Sequence, residues 1–265
     1  MMKALAELDL PAAPARAAAP LRVALFSGNY NYVVDGPVKA LNRLVARIEA
    51  NGDAALVFAP TLKTPAFRHQ GDLVPVPSIA LPGRRGEYRL GLGLNGEARR
   101  RLDAFSPTIA HVAAPDWLGL AALNYAREKA IPAVASFHTR FDTYPRYYGM
   151  RWLEPHITRY MRYFYHRCER VYAPSQSMVD ELARDKIGRD IRLWARGVDQ
   201  AQFNPRRRDG AWRRSLGFAD GDVMIGFVGR VVREKGVDIF AKAVKSAHAA
   251  DARVKALIVG DGPER

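Results

Sequence analysis

Short apolar runs alternate with helical stripes along most of this chain. Arg22 to Ser27 reads as a buried strand, the loop Gly28 to Gly36 follows, and a helix begins near Pro37, a residue suited to a first turn. Val38, Leu41, Val45 and Ile48 recur at helical spacing to form a core-facing stripe, which Asn51-Gly52 closes. A second strand, Ala54 to Ala59, completes a βαβ unit. Thr108 to Val112 and Ala133 to Phe137 predict two more buried strands, separated by a helix carrying Leu118, Ala121, Leu123 and Ala126. Such alternation predicts a parallel sheet. A long amphipathic helix is expected from about Trp152 to Glu169, then a strand from Val171 to Ala173 and a helix capped by Ser175 or Ser177.

The stretch Asn204 to Gly210 is polar and rich in helix breakers, which places a boundary there. The expected organisation is an Ala/Pro-rich disordered tail over 1–20, a first domain over 21–204 and a second unit over 205–265. In that unit Val223 to Val228 and Val254 to Val259 read as strands, joined by the loop Gly229 to Gly236 and a helix from Val237 to about Ala250. A lone βαβ unit leaves sheet edges and an apolar face uncovered. It is expected to lean on the first domain, to associate with another chain or to be poorly ordered, and to be the shortened start of a larger domain.

Composition narrows the chemistry. At 265 residues, with 48% hydrophobic and 26% charged side chains, the chain can bury a sizeable core. The single cysteine, Cys168, rules out an internal disulfide, and the six histidines lack zinc-ligand spacing. The N-terminal stretch lacks the cationic start and apolar core of a secretory signal, and no apolar run is long enough to cross a bilayer. A cytoplasmic protein is expected, peripheral on the inner membrane face if it works on lipid. The formal charge of +14 draws polyanions, with clusters at Arg99 to Arg101, at Arg159, Arg162 and Arg167, and at Arg206 to Arg208. Anionic lipid and phosphorylated substrates satisfy that constraint. Nucleic acid is not expected, because no recognised module or aromatic platform accompanies the basic residues.

Candidate chemistry gathers at strand ends. The run Ala133 to Gly149 takes an apolar strand into His138 and then a polar, aromatic loop, where open α/β sheets place their ligands. An imidazole there handles protons near neutral pH, and tyrosines offer flat faces with a hydroxyl handle, so the loop suits a polyhydroxylated ligand. A histidine that only bonds loop backbone is the alternative. Asp142, Tyr144 and Tyr148 are its acceptor-binding candidates. The loop Gly28 to Gly36 presents backbone N–H groups at a helix start, which suits a phosphate, although a glycine before a helix is also routine. In Gly229 to Gly236 a strand delivers Arg230 into the crevice and Lys235 stands at the helix start; two cations there could neutralise a diphosphate leaving group. Gly91 to Gly96 spells a dinucleotide-binding glycine pattern, but Arg84 to Arg89 before it form no buried strand, so a flexible loop is expected. Asp220-Gly221-Asp222 reads as a solvated turn rather than a metal clamp, and Asp116 as a helix N-cap that could also line the cleft.

Four motifs, Asp35-Gly36-Pro37 through Leu44, Ser136-Phe137-His138-Thr139 through Tyr147-Tyr148-Gly149, Arg196-Gly197-Val198-Asp199 through Asn204-Pro205, and Gly229-Arg230 through Lys235-Gly236, occur in one order. From about residue 21 onward the chain resembles family 4 retaining glycosyltransferases, nearest to the branch with lipid-directed mannosyl- and sulfoquinovosyl-type transferases. The resemblance implies a GT-B fold: two facing Rossmann-like domains, here a complete N-terminal acceptor domain with a parallel sheet and one βαβ unit of the nucleotide-sugar domain. It implies transfer of a hexose from GDP-mannose or a UDP-hexose to a lipid or saccharide acceptor, with neither metal nor cofactor. At matching positions Gly36 would approach the donor phosphates, His138 would contact the transferred sugar, and Arg230 and Lys235 would hold the diphosphate. Family members continue past the Gly-Asp-Gly-Pro strand to a Glu-x7-Glu pair, and no two glutamates here stand eight apart. A C-terminally shortened enzyme is therefore expected, with a non-catalytic module binding acceptor or anionic membrane as the alternative.

Overall fold

A computed structural model describes residues 19–81 and 88–265. Seven strands form one wholly parallel sheet: β1 (Arg22–Phe26), β2 (Ala54–Ala59), β3 (Asp72–Pro75), β6 (Ile109–Val112), β7 (Ala133–Ser136), β8 (Arg170–Ala173) and β9 (Ile191–Leu193). Their order is β3-β2-β1-β6-β7-β8-β9. β1 and β2 are almost unbroken apolar runs because helices cover both faces of such a sheet. The order reverses between β1 and β6, and ligands of doubly wound sheets bind in the crevice beyond the strand ends at that point.

Helix α1 (Gly36–Ala50) begins where the Asp35 carboxylate accepts the Val38 N–H at 2.9 Å, and its buried side carries Val38, Leu41 and Val45. Asn42 is buried there too, yet fully used: it donates to the Tyr30 and Val38 carbonyls and accepts the Gln70 N–H. Beneath the other face lie α3 (Trp117–Glu128) and α4 (Glu154–Tyr165), whose Leu118, Met161 and Phe164 pack into a core shared with the stacked rings of Phe26 and Phe58. α3 and α4 approach closely only because residue 119 is glycine. A Cβ there would lie 2.2 Å from the Ala114 carbonyl oxygen and 3.0 Å from Cζ of Phe164. Gly119→Ala should cost about 3 kcal/mol in urea unfolding, the upper range for overpacking a fitted core; an unchanged midpoint would show that the layers can separate freely.

The structure departs from expectation in several places. The long helix is confined to Glu154–Tyr165, with a 3-10 turn, Arg151–Leu153, before it. The glycine-rich run is a loop over 92–95 whose ends are ordered by their neighbours: Gly91 closes β5 (Arg89–Gly91), and Asn95 caps α2 (Gly96–Phe105) by accepting the Ala98 N–H. β5 pairs antiparallel with β4 (Ser78–Ala80) in a separate sheet, so the dinucleotide reading fails on strand direction. Arg84 to Glu87 and most of the expected N-terminal tail lie outside the described residues. Ser175 caps α5 (Gln176–Arg184).

Asp209 caps a short helix, α6 (Gly210–Ser215), at the expected boundary. The second unit is then β10 (Val223–Val228), α7 (Val237–Ala250) and β11 (Val254–Val259), its two strands parallel and in register from Val223–Val254 to Val228–Val259. Its apolar side chains are largely uncovered, with Val228 at 78% and Ile239 at 68% exposure. Asp220 to Asp222 form a turn, Asp222 accepting the Ala219 N–H and pairing with Lys255 at 2.5 Å.

Candidate active site

The crevice at the sheet's switch point is built from loops that follow β1, β6, β7 and β9. After β6, Asp116 caps α3 by accepting the Gly119 N–H at 2.8 Å, and burial raises its carboxyl to about 6. A Cβ on Gly28 would stand 3.1 Å from the second oxygen of Asp116, so the β1 loop rests on this carboxylate. At the start of α1 the N-terminal dipole already has its own anion. Besides Val38, Asp35 accepts Asn29 at 3.3 Å and the Tyr88 hydroxyl at 3.4 Å. Gly36 beside it is exposed, and an added Cβ would meet nothing within 4 Å, which leaves backbone open to a ligand.

His138 stands just past β7. Its Nδ1 contacts Nη2 of Arg196, which follows β9, while its Nε2 is buried without a partner among the described residues. Burial first, then the Arg196 charge and His111, push its pKa down to about 3, so the ring is neutral across ordinary pH. His111, inside β6, is held near 4 by burial alone and bonds the Ser136 hydroxyl. Trp194 meets both imidazoles edge-on at 6.4 Å. The sequence marked His138 through its place at a strand end, but assigned no role to His111, Trp194 or Arg196. A histidine in an otherwise apolar strand, and an Arg-Gly pair just after one, were the available signals.

The expected loop after His138 is a 3-10 helix, Phe141–Tyr148. Asp142 is turned inward, 1% exposed, and takes a two-pronged bond from Arg140, whose guanidinium also pairs with Glu181 and Asp185 of the α5 region. Its carboxylate is thereby closed to an acceptor and serves to fasten the helix. Tyr144 packs against Phe141 at 5.8 Å, whereas Tyr148 is exposed and donates to Glu234 at 3.0 Å.

That bond brings in the second unit. Arg230, after β10, lies with its guanidinium carbon 5.3 Å from the Tyr88 ring centroid, and Tyr88 in turn touches Asp35. Glu234 and Lys235 belong to a 3-10 turn, Arg233–Lys235, that borders a cavity of about 580 Å³ together with Tyr147. Gly260 is required here: its φ is +149°, and a Cβ would collide with the Gly229 carbonyl at 1.8 Å, so the loops after β10 and β11 cross in contact. Tyr148 and Arg230 thus bridge the two units, Tyr148 through Glu234 and Arg230 through Tyr88, which also bonds Asp35 beside Gly36, while Lys235 borders the cavity with Tyr147. Among the described residues His138 is joined instead to Arg196 and Trp194. Among the described residues, no three His, Cys, Asp or Glu side chains are placed to hold a metal ion.

These two facing α/β units with a cleft between them define a GT-B arrangement. Sucrose-phosphate synthase from Thermosynechococcus elongatus superposes with a TM-score of 0.68 at 14% identity, over 92% of this chain and 63% of that one. The sequence matches Glycosyltransferase Family 4 over residues 34–202 and Glycosyl transferases group 1 over residues 209–265. The chain belongs to glycosyltransferase family 4. A GDP-mannose-dependent alpha-mannosyltransferase of Corynebacterium glutamicum is 33% identical over 249 residues, spanning 92% of this chain and 58% of that protein. An alpha-monoglucosyldiacylglycerol synthase of Streptococcus pneumoniae is 27% identical over 92% of this chain and 56% of its own length. The chain thus spans little more than half the length of these curated relatives.

Proposed function

We propose that the chain supplies the acceptor side and the diphosphate-holding loop of a retaining hexosyltransferase that uses GDP-mannose or a UDP-hexose. The observation that supports this is that the Arg230–Lys235 loop is joined to the first unit, Arg230 through Tyr88 and Glu234 through Tyr148. Arg230 and Lys235 offset the charge that gathers on the diphosphate as the bond from sugar carbon to phosphate oxygen breaks. The acceptor hydroxyl forms its new bond on the same face, and its proton passes to the departing diphosphate. His138 donates to an oxygen of the transferred sugar, and Gly36 lets backbone approach the phosphates. The two cations stand where other enzymes use a metal, so the reading includes no metal.

Lipid or saccharide is the acceptor class, with Tyr144 and Tyr148 beside it. The names of the mannosyltransferase and of the glucosyldiacylglycerol synthase support this donor and acceptor chemistry. Among the described residues no helix is long and apolar enough to cross a membrane. Work from the cytoplasmic side, with the basic surface against anionic lipid, accords with that and with the charge of +14.

Release of nucleoside diphosphate from a panel of GDP- and UDP-sugars, with a membrane lipid extract as acceptor, tests the proposal. Turnover with one donor is expected, insensitive to a chelator and lowered about 100-fold in Arg230→Ala, the scale for losing one preorganised charge contact. Turnover indifferent to that change would remove the diphosphate role. Salt-sensitive vesicle binding with no turnover for any donor would leave a non-catalytic binding module.

A further inference from the structure

The contact between Arg196 and His138 decides which nitrogen of the imidazole carries its proton. A guanidinium has only N–H groups and no acceptor lone pair, and it stays charged in proteins. The ring nitrogen it approaches, Nδ1, must therefore present its lone pair. A neutral imidazole has a single proton, so that proton sits on Nε2. Nε2 is the atom buried without a partner among the described residues.

Arg196 comes to the ring from the end of β9, its Nε buried without a partner among the described residues. The backbone N–H of Trp194 donates to the Ala173 carbonyl at 2.7 Å, pinning the end of β9 to β8. The Trp194 indole then lies edge-on to His138 and 5.8 Å from the Arg196 guanidinium carbon. The charged and titratable groups that bear on the ring from the surrounding elements are His111 from β6 and Arg196 after β9. Of these His111 is itself neutral and engaged with Ser136.

We propose that Arg196 is the positioning residue of the site, fixing His138 as a neutral ring that offers one N–H donor, from Nε2, to a hydroxyl oxygen of the transferred sugar. The proposal deepens the transferase reading and rests on it for the identity of the ligand. It also limits the chemistry: with no lone pair at Nε2, His138 takes no proton from the acceptor. That proton must go elsewhere, as it does when the departing diphosphate receives it.

Ring-nitrogen NMR of the histidines in the full chain tests the tautomer without any donor, and so separates this inference from the enzymatic one. Signals are assigned to His138 by their loss in His138→Gln. Unprotonated Nδ1 and protonated Nε2 are expected, unchanged from about pH 8 to about pH 5. Arg196→Met removes the donor, and His138 should then show both tautomers and titrate at higher pH. Arg196→Lys, which keeps a cationic donor and guards against a folding defect in the methionine variant, should preserve the native tautomer. In the transfer assay Arg196→Met should lower kcat roughly tenfold, the scale for losing an outer partner that orients a functional histidine, with the acceptor KM unchanged. A protonated Nδ1 in the unmodified chain, or a tautomer and titration identical in Arg196→Met, overturns the proposal.

Discussion

Replacing Arg140 with alanine lowers the unfolding free energy by about 3–5 kcal/mol, the range for stripping one partner from a buried ion pair. Arg140 grips Asp142 with Nε at 3.0 Å and Nη2 at 2.8 Å, and the side chain of Asp142 is 2% exposed. Without the guanidinium, that carboxylate has water on almost no side. It also loses the cation that ties the 3-10 helix to Glu181 and Asp185. The double variant Arg140→Ala, Asp142→Asn should recover much of the loss, because the buried charge goes with its partner. Urea unfolding reads both; a single-variant cost below about 1 kcal/mol would mean the pair behaves like an exposed one.

Replacing His138 with alanine should lower hexose transfer by about 10²–10³-fold, the cost of deleting one preorganised donor at a site of developing charge. The fold should survive, since the neighbouring Arg196 keeps its packing on Trp194. The pH dependence is part of the expectation. An ordinary histidine would gain a proton near pH 6.5, but burial beside a guanidinium holds this one at about 3. The acid side of the rate profile should therefore show no inflection from His138 between about pH 5 and about pH 8. An inflection there that disappears in His138→Gln would mean that the ring is exposed and titrating.

What could be read from residue order alone was the interior. β1 and β2 announce themselves as apolar runs because both faces of their sheet exclude water, and β10 and β11 read the same way although their side chains are largely uncovered in this chain. The sheet's outer strands do not. Asp72–Pro75 and Ile191–Leu193 are short, mix charge with apolar residues and sit at the edges, where half of each strand is solvated. Among the candidate site residues, the positions of His138 and Arg230 just past strands could be read from the sequence, whereas Lys235 ends a 3-10 turn that the pattern did not show. Asp142 gave no sign of its burial because the guanidinium that holds it, on Arg140, is itself fixed by the remote acids Glu181 and Asp185. Arg196 lies 58 positions from His138, and no local pattern joins them.

The sheet order also has a kinetic consequence. β1 is an interior strand beside the sheet's centre, and Leu25 is flanked by Val57 on one side and His111 on the other. During synthesis β1 and β2 can pair early, yet the second edge of β1 stays unpaired until residue 112 has left the ribosome. Closing that gap joins positions some 86 residues apart, as the bond between Arg22 and Thr108 records. Parallel pairing of such separation is slow and leaves strand edges open to other chains. The nascent chain is therefore most vulnerable to misassembly while β6 is still being made, before His138 and Arg196 have been added to the chain.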